Sequence, residues 1–495
     1  PPRSTPSNSS AASDVYKRQR LSIYAGSDSK YRYVTREVFG TADEVVVSPD
    51  GKWLALVIRG DIYIQPVSRT PEEEVDAPHG GEAVNFTNTP GREWMVQWHP
   101  DCESLIFVSD KDGEQSIYEL DLNTREWERL TKSSEIDIYP RISPDGEKIA
   151  FYRGEGELMV LELETSFTRK LTEGITRRGV WYTSLEWSPD SEWLAYTQIT
   201  PAYDRDIWLI KADGTEGPHN ITKYPTSNWG PMWTSDRKNI VFVSYREGEY
   251  SRVYLLPLKL PELKFTDEML FGDASDENGG DTEADAGENP EDANTPDNGE
   301  AEADEDEAKE KEFVEIDFRN IEYRARVISE ALTGINNLAV SPDGKTCIYQ
   351  SSTTSDDYKL WAVDLLTAES NYVNIAAPIN WLSWASDAGP YGIYEGGRVV
   401  KIEMSGSQVT GVSPVAVTAR TVLDRPAELL AMYDEAYRNL KYGFYDPKLH
   451  GRDMDAAYRK YRRMIQHAVT REEFDIFTTL LLGELNSSHL GVWGD

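Results

Sequence analysis

The chain has 495 residues, 39% of them hydrophobic, and carries 86 acidic against 51 basic side chains for a net charge of −35. Such a length is a soft prior of about three domains and ample for a large core, while the acidity argues against nucleic acid as a partner because no basic stripe is available to release counterions. Two isolated cysteines, Cys102 and Cys347, fit no metal-ligand spacing and speak against a disulfide-built secreted fold and for a reducing compartment.

Residues 1–20 are rich in Pro and Ser, begin at Pro1 rather than Met, and end in a basic patch at Lys17, Arg18 and Arg20. They hold no apolar run of signal-peptide or membrane-anchor type and match nothing downstream. They are read as a disordered or non-native tail on a piece of something longer. No later segment is apolar enough to suggest a membrane partner.

From about residue 38 an internal repeat takes over. Val47-Ser48-Pro49-Asp50-Gly51 recurs as Trp98-His99-Pro100-Asp101, Ile142-Ser143-Pro144-Asp145-Gly146, Trp187-Ser188-Pro189-Asp190, Trp233-Thr234-Ser235-Asp236, Val340-Ser341-Pro342-Asp343-Gly344 and Trp384-Ala385-Ser386-Asp387. The seven aspartates are separated by 51, 44, 45, 46, 107 and 44 residues, and a period near 45 is that of a four-stranded propeller blade. Each copy reads as strand, tight turn, strand, with the proline, aspartate and glycine supplying the turn. Trp98, Trp187, Trp233 and Trp384 at matched positions are predicted to pack blade against blade, and the repeated Asp is a turn residue, not a metal ligand. His79, His99 and His219 fall in propeller turns.

The step of 107 contains an acidic block, residues 267–312, with 20 Asp or Glu against 2 Lys. It cannot bury enough apolar surface to offset its ordering entropy and is predicted to be a disordered insertion, solvating in character. Removing its 46 residues leaves 61, which suits one repeat plus a loop. The sequence therefore predicts a mainly β fold, a seven-bladed propeller over residues 21–422, with Leu21 to Arg36 either completing it or trailing from another element.

Past Arg425 the apolar period changes from two to near 3.6. Leu429, Leu430, Met432, Tyr433, Ala436 and Leu440 share one face of a helix ending near Gly443. A second helix is expected from Met454 to Ala468, after a turn that includes His450, and His467 is placed at its end as a cation favourable to the dipole. A third begins at Thr470, whose spacing to Glu473 makes a capping box, with Phe474, Phe477, Leu481 and Leu485 on its buried side. Residues 425–495 are thus a small α-helical subdomain, closing on Gly483-Glu484-Leu485-Asn486-Ser487-Ser488-His489.

Those last residues, with Tyr445-Asp446-Pro447-Lys448-Leu449-His450-Gly451-Arg452-Asp453, Tyr458, Tyr461, Arg471 and Phe474, resemble the first core subdomain of tricorn-type proteases. These are large cytosolic serine peptidases related to the C-terminal processing peptidases. Members run in the order six-bladed propeller, seven-bladed propeller, helical core subdomain, PDZ domain and second core subdomain, and the present chain matches the middle of that order. Met454 departs from the pattern, since relatives commonly carry tryptophan there.

The resemblance implies that His489 is the general base and Ser488 the serine that helps orient it. It places the nucleophilic serine and the glutamate of the relay in a second core subdomain beyond Asp495, so the chain alone is expected to be inactive. It further implies peptide substrates guided through the propeller, the PDZ and second core domains as partners in the same chain, a homo-oligomer at full length, a cytoplasmic location, and neither cofactor nor metal. The chemistry is consistent with this, because a serine hydroxyl is a weak nucleophile until an imidazole, held by a partner on its other nitrogen, takes its proton. The alternative reading is a non-catalytic TolB-like propeller that binds protein or peptide. A prolyl-oligopeptidase relative ranks last, because no Gly-x-Ser-x-Gly nucleophile elbow occurs in the chain.

Overall fold

A computed structural model describes residues 34–67, 82–154, 156–173, 184–200, 204–246, 248, 250–260, 313–330, 334–352, 357–487 and 490–491. Seven four-stranded antiparallel sheets occupy the span from Glu44 to Pro414, each with its strands hydrogen-bonded in sequence order. The first blade is built from Glu44–Val47, Trp53–Ile58, Asp61–Pro66 and Val84–Asn85. The innermost strands of the other six are Glu93–Trp98, Asp137–Ile142, Leu185–Trp187, Asn228–Trp233, Gly334–Val340 and Ile379–Ser383. Each of these seven strands touches the next, and Ile379–Ser383 touches Glu44–Val47, so the ring is closed. The chain is a seven-bladed β-propeller followed by a small α-helical subdomain.

The Ser-Pro-Asp element explains why the blades repeat. Ser48 Oγ donates to Asp50 Oδ1 at 2.6 Å and accepts from Trp53 N–H at 3.0 Å, while Asp50 Oδ1 accepts from Lys52 N–H. The same hydroxyl-to-carboxylate bond joins Ser143 to Asp145, Ser188 to Asp190, Thr234 to Asp236 and Ser341 to Asp343. The aspartates are turn residues, as their pattern predicts. Their turns also set the blade spacing. Gly51 has φ +71°, and a Cβ there would lie 3.0 Å from Ala388 Cβ across the closure; Gly344 has φ +70°, and its Cβ would lie 2.6 Å from Ser235 Oγ. Only glycine combines that backbone with that approach.

Between the blades the packing is two-sided. Ser104–Ser109 is buried at every position, as expected of a strand covered on both faces rather than one. The predicted tryptophans supply both area and polar ties: Trp98 Nε1 donates to Val46 O at 3.0 Å, Trp187 Nε1 to Arg141 O at 2.8 Å and Trp233 Nε1 to Glu186 O at 3.3 Å. In the last blade Trp384 packs into the core shared with the sixth. The polar tie comes instead from Trp381, whose Nε1 donates to Val45 O at 2.8 Å and so joins last blade to first.

The long step of 107 residues is one blade. Its third strand, Arg252–Pro257, pairs with a fourth, Arg326–Val327, through Tyr254↔Val327 and Leu255↔Arg326. The acidic block 267–312 falls in the sequence between these strands and lies outside the described residues, as do residues 1–20 and His79. Strand Val34–Phe39 completes no blade. It pairs antiparallel with Ala419–Asp424, from Val34↔Asp424 to Phe39↔Ala419, and this ribbon belongs with the helices to one compact unit, the blades forming the other.

If glycine is required at the blade contacts, Gly344→Ala should lower stability by about 2–3 kcal/mol. Gly396→Ala, at φ +91° but with open space around it, should cost about 1 kcal/mol. Urea titration of both variants checks the difference.

Candidate functional site

The helical subdomain is three helices, α1 (Arg425–Gly443), α2 (Met454–Ile465) and α3 (Arg471–Glu484). Asp424 caps α1 by accepting from Ala427 N–H, with Pro426 in the first turn, and Asp453 caps α2 by accepting from Ala456 N–H. These are the residue types that satisfy free N–H groups at a helix start. The capping box at Thr470 and Glu473 is present. α2 stops at Ile465, three residues short of the sequence expectation, and His467 follows in the turn.

The core joins Leu429, Tyr433, Tyr437 and Leu440 of α1 to Met454, Ala457, Tyr461 and Ile465 of α2 and to Phe474, Leu481 and Leu485 at α3. Met454, at 2% exposure, fills a core position. Tyr437 and Thr478 are buried without having been expected, whereas Phe477 is only partly so. A polar seam fixes α1 on α2. Arg462 donates from both Nε and Nη2 to Asp434 at 2.8 Å, Tyr458 OH donates to Asp434 Oδ1 at 2.8 Å, and Tyr437 OH donates to Asp455 at 2.6 Å. Burial first, and the Asp434 carboxylate second, push the Tyr458 phenol up to about 12.

The motif that ends α3 is held at one point. Glu484 Oε1 accepts from Lys460 Nζ at 2.9 Å and from Tyr461 OH at 2.7 Å, and those bonds hold its carboxyl below the ordinary range. Leu485 is fully buried, and Asn486 takes a left-handed conformation at φ 54°, one of the few non-glycine types that does so readily. The helix therefore ends at a defined place and the chain turns away at Ser487. Ser488 and His489 lie outside the described residues; Leu490 and Gly491 beyond them are described.

Three of the described histidines have structural partners. His450 sits in the turn between α1 and α2, its backbone N–H bonded to Asp446 Oδ2 and its Nε2 to Tyr445 OH. His99 bonds Gly146 O across a blade boundary. His219 lies in a short outer strand, His219–Asn220, not in a turn, and stacks on Phe318 at 3.9 Å. Repeat logic also passed over Arg141 and Glu186, on neighbouring innermost strands, which pair at 3.5 Å with side chains 19% and 33% exposed. Burial pushes the Glu186 carboxyl up despite that guanidinium. Among the described residues no cluster of three or more His, Cys, Asp or Glu side chains could hold a metal ion, and no helix is long and apolar enough to cross a membrane.

Comparison with known proteins divides along the same line as the fold. The TolB β-propeller domain profile matches residues 29–181, and the tricorn protease C1 domain profile matches residues 425–483. The propeller is related to both the TolB and the tricorn protease families. A TolB homologue of Chlorobium luteolum is 32% identical over 159 residues, 31% of this chain and 34% of that protein, and one of Chlorobaculum tepidum is 31% identical over 114 residues, 22% and 25%. The matches thus span about a third or less of those relatives. The crystal structure of the tricorn protease superposes with a TM-score of 0.65 at 16% identity, over 92% of this chain and 42% of that one, a likeness of fold.

The Glu484 contacts generate a pH signature. A carboxyl with a lowered folded pKa contributes stability above about pH 4.3, the ordinary glutamate value, and loses it as pH falls through the folded value. Glu484→Gln should lower helical stability at pH 7 by no more than about 1 kcal/mol, the scale of a solvent-screened pair, and should flatten part of the acid-side loss. Thermal melts followed by far-UV circular dichroism at pH 7 and about pH 3, below the ordinary glutamate value, check both.

Proposed function

We propose that this chain carries the seven-bladed propeller, residues 21–422, and the first helical part of the catalytic core, residues 425–495, of a tricorn-like serine peptidase that degrades peptides in the cytoplasm. In this reading the propeller guides substrate. His489 is the general base, Ser488 helps to orient it, and the nucleophilic serine comes from polypeptide outside these 495 residues, in PDZ-linked core domains of an oligomeric protein. No metal or cofactor is called for, because the imidazole supplies the proton transfer that a serine nucleophile needs.

The observation that carries this reading is the C1 match at residues 425–483, ending six residues before His489. The described geometry supports it by fixing the departure of the Ser487 segment through Glu484, Leu485 and Asn486. A second reading, a TolB-like propeller that binds protein or peptide without catalysis, is favoured by the profile match at 29–181. It leaves the C1 match without a role.

The 495-residue chain should neither hydrolyse fluorogenic peptides nor become labelled by a fluorophosphonate, the reagent that marks activated serines. Turnover or labelling that disappears in His489→Ala would place the nucleophile within the chain and contradict the proposal. Sequencing the gene past codon 495 separates the two readings: a serine-bearing core domain supports the peptidase, and an immediate stop codon supports the binder.

A further inference from the structure

The innermost strands of the seven blades surround the axis of the ring, where a propeller has its central channel. The repeat gives each strand an equivalent position two residues before the first turn residue, held in order by Val46, Gln97, Arg141, Glu186, Met232, Ala339 and Ser383. Six of these are partly exposed and Ala339 is buried. The collar is polar on one side: Gln97, Arg141 and Glu186 come from three consecutive blades. Arg141 interacts electrostatically with Glu186 of the fourth blade and also with Glu44 of the first, as a side chain reaching towards the axis does.

The pair between Arg141 and Glu186 is loose. Arg141 Nε stands 3.5 Å from Glu186 Oε1, its Nη1 donates to Pro140 O at 3.1 Å, and its guanidinium lies over the Tyr139 ring at 4.6 Å. Other arginines of this protein grip a carboxylate with two short bonds, Arg153 on Asp137 at 2.7 and 2.9 Å and Arg462 on Asp434 at 2.8 Å, the geometry of a strong pair. Among the described residues neither Arg141 nor Glu186 makes a further side-chain hydrogen bond. Gln97 spends its Nε2 on Val96 O, and Glu44 is taken up by the N–H groups of Met95 and Val96. What remains is a donor and an acceptor side by side, with capacity to spare, on a wall that water reaches.

An extended peptide is the complement of that arrangement, since each unit carries one N–H donor and one C=O acceptor. We infer that Arg141 and Glu186 form a backbone-binding arc in the propeller channel, the guanidinium donating to a peptide carbonyl and the carboxylate accepting from a peptide N–H. Such an arc holds a peptide whatever its side chains, because two opposite charges have no net preference for a charged residue. Over the rest of the collar Val46, Met232 and Ala339 are apolar and Ser383 is short, so the hydrogen-bonding capacity is concentrated on one side. The inference rests on the proposed function only in taking a peptide as occupant, which the peptidase and the binder readings share.

The test is a calorimetric titration of the 495-residue chain with a short end-blocked peptide of alanine and serine, and with the same peptide N-methylated at alternate residues. Methylation removes the donors and should weaken binding at least about 10-fold, the scale of hydrogen bonds to charged groups. Arg141→Met combined with Glu186→Leu replaces the pair by apolar side chains and strands no charge; it should weaken the parent peptide by a similar factor with the far-UV circular dichroism unchanged. Analogues with a central lysine or glutamate should bind within about fivefold of the parent, the scale of a solvent-screened charge. No measurable binding of the parent, equal binding of the methylated peptide, or indifference to the double variant overturns the arc. A preference of about tenfold or more for the lysine or glutamate analogue overturns backbone recognition, because the pair then reads charge. The methylation comparison uses the unaltered chain and decides the matter even if the double variant fails to fold. Binding is read without turnover, so failure here leaves the His489 assignment to the activity measurement.

Discussion

The closed ring depends on how near one blade's inner turn can come to the next. Five of the seven turns spend a serine or threonine hydroxyl on an aspartate carboxylate two residues later and on a backbone N–H five residues later. This satisfies such a turn's own polar groups internally, so the turn can be buried against a neighbour: Ser48, Ser143 and Ser188 are wholly inaccessible. Glycine at positions 51 and 344 then admits the adjacent blade to within a distance at which a Cβ would collide. The left-handed residue after the Asp recurs in other turns with a side chain, as Cys102, Ser191 and Arg237, so glycine is needed only where the neighbouring blade comes this close, and the tryptophan indoles join blades from the adjoining strands.

The number of blades was readable because that device is local, confined to a few consecutive residues and repeated with the blade. Three of the fourth strands were too short to be readable. Val84–Asn85, His219–Asn220 and Arg326–Val327 are two residues each, too short to carry alternation. Nor did any pattern announce the ribbon of Val34–Phe39 with Ala419–Asp424, since its pairing spans most of the chain. In the last blade the sequence register pointed to Trp384, and Trp384 does pack there, but the hydrogen bond across the closure comes from Trp381. Which indole reaches a carbonyl depends on a register shift between Ile379 and Trp381, and such a bulge has no reliable signature in a single sequence.

The helical part was legible to a similar depth. Its capping box and buried stripe follow from helical spacing, whereas Tyr437 and Thr478 lie outside the predicted stripes and are buried all the same. Tyr437 is accounted for by Asp455. Thr478 Oγ1 has no hydrogen-bond partner among the described residues. The candidate base itself came from motif resemblance, with the geometry of the flanking residues explaining why the motif reads as it does: Glu484 is the anchor, Leu485 the buried end, Asn486 the turn.

In the proposed peptidase the general base is His489 and the nucleophile comes from polypeptide outside these residues. The most direct measurement is the hydrolysis of a fluorogenic peptide by the product of the whole reading frame containing this sequence, with and without His489→Ala. The account predicts measurable turnover that falls by about a thousandfold or more in the variant, as expected when a serine nucleophile loses its base, with peptide binding retained. Turnover that survives His489→Ala unchanged would contradict it.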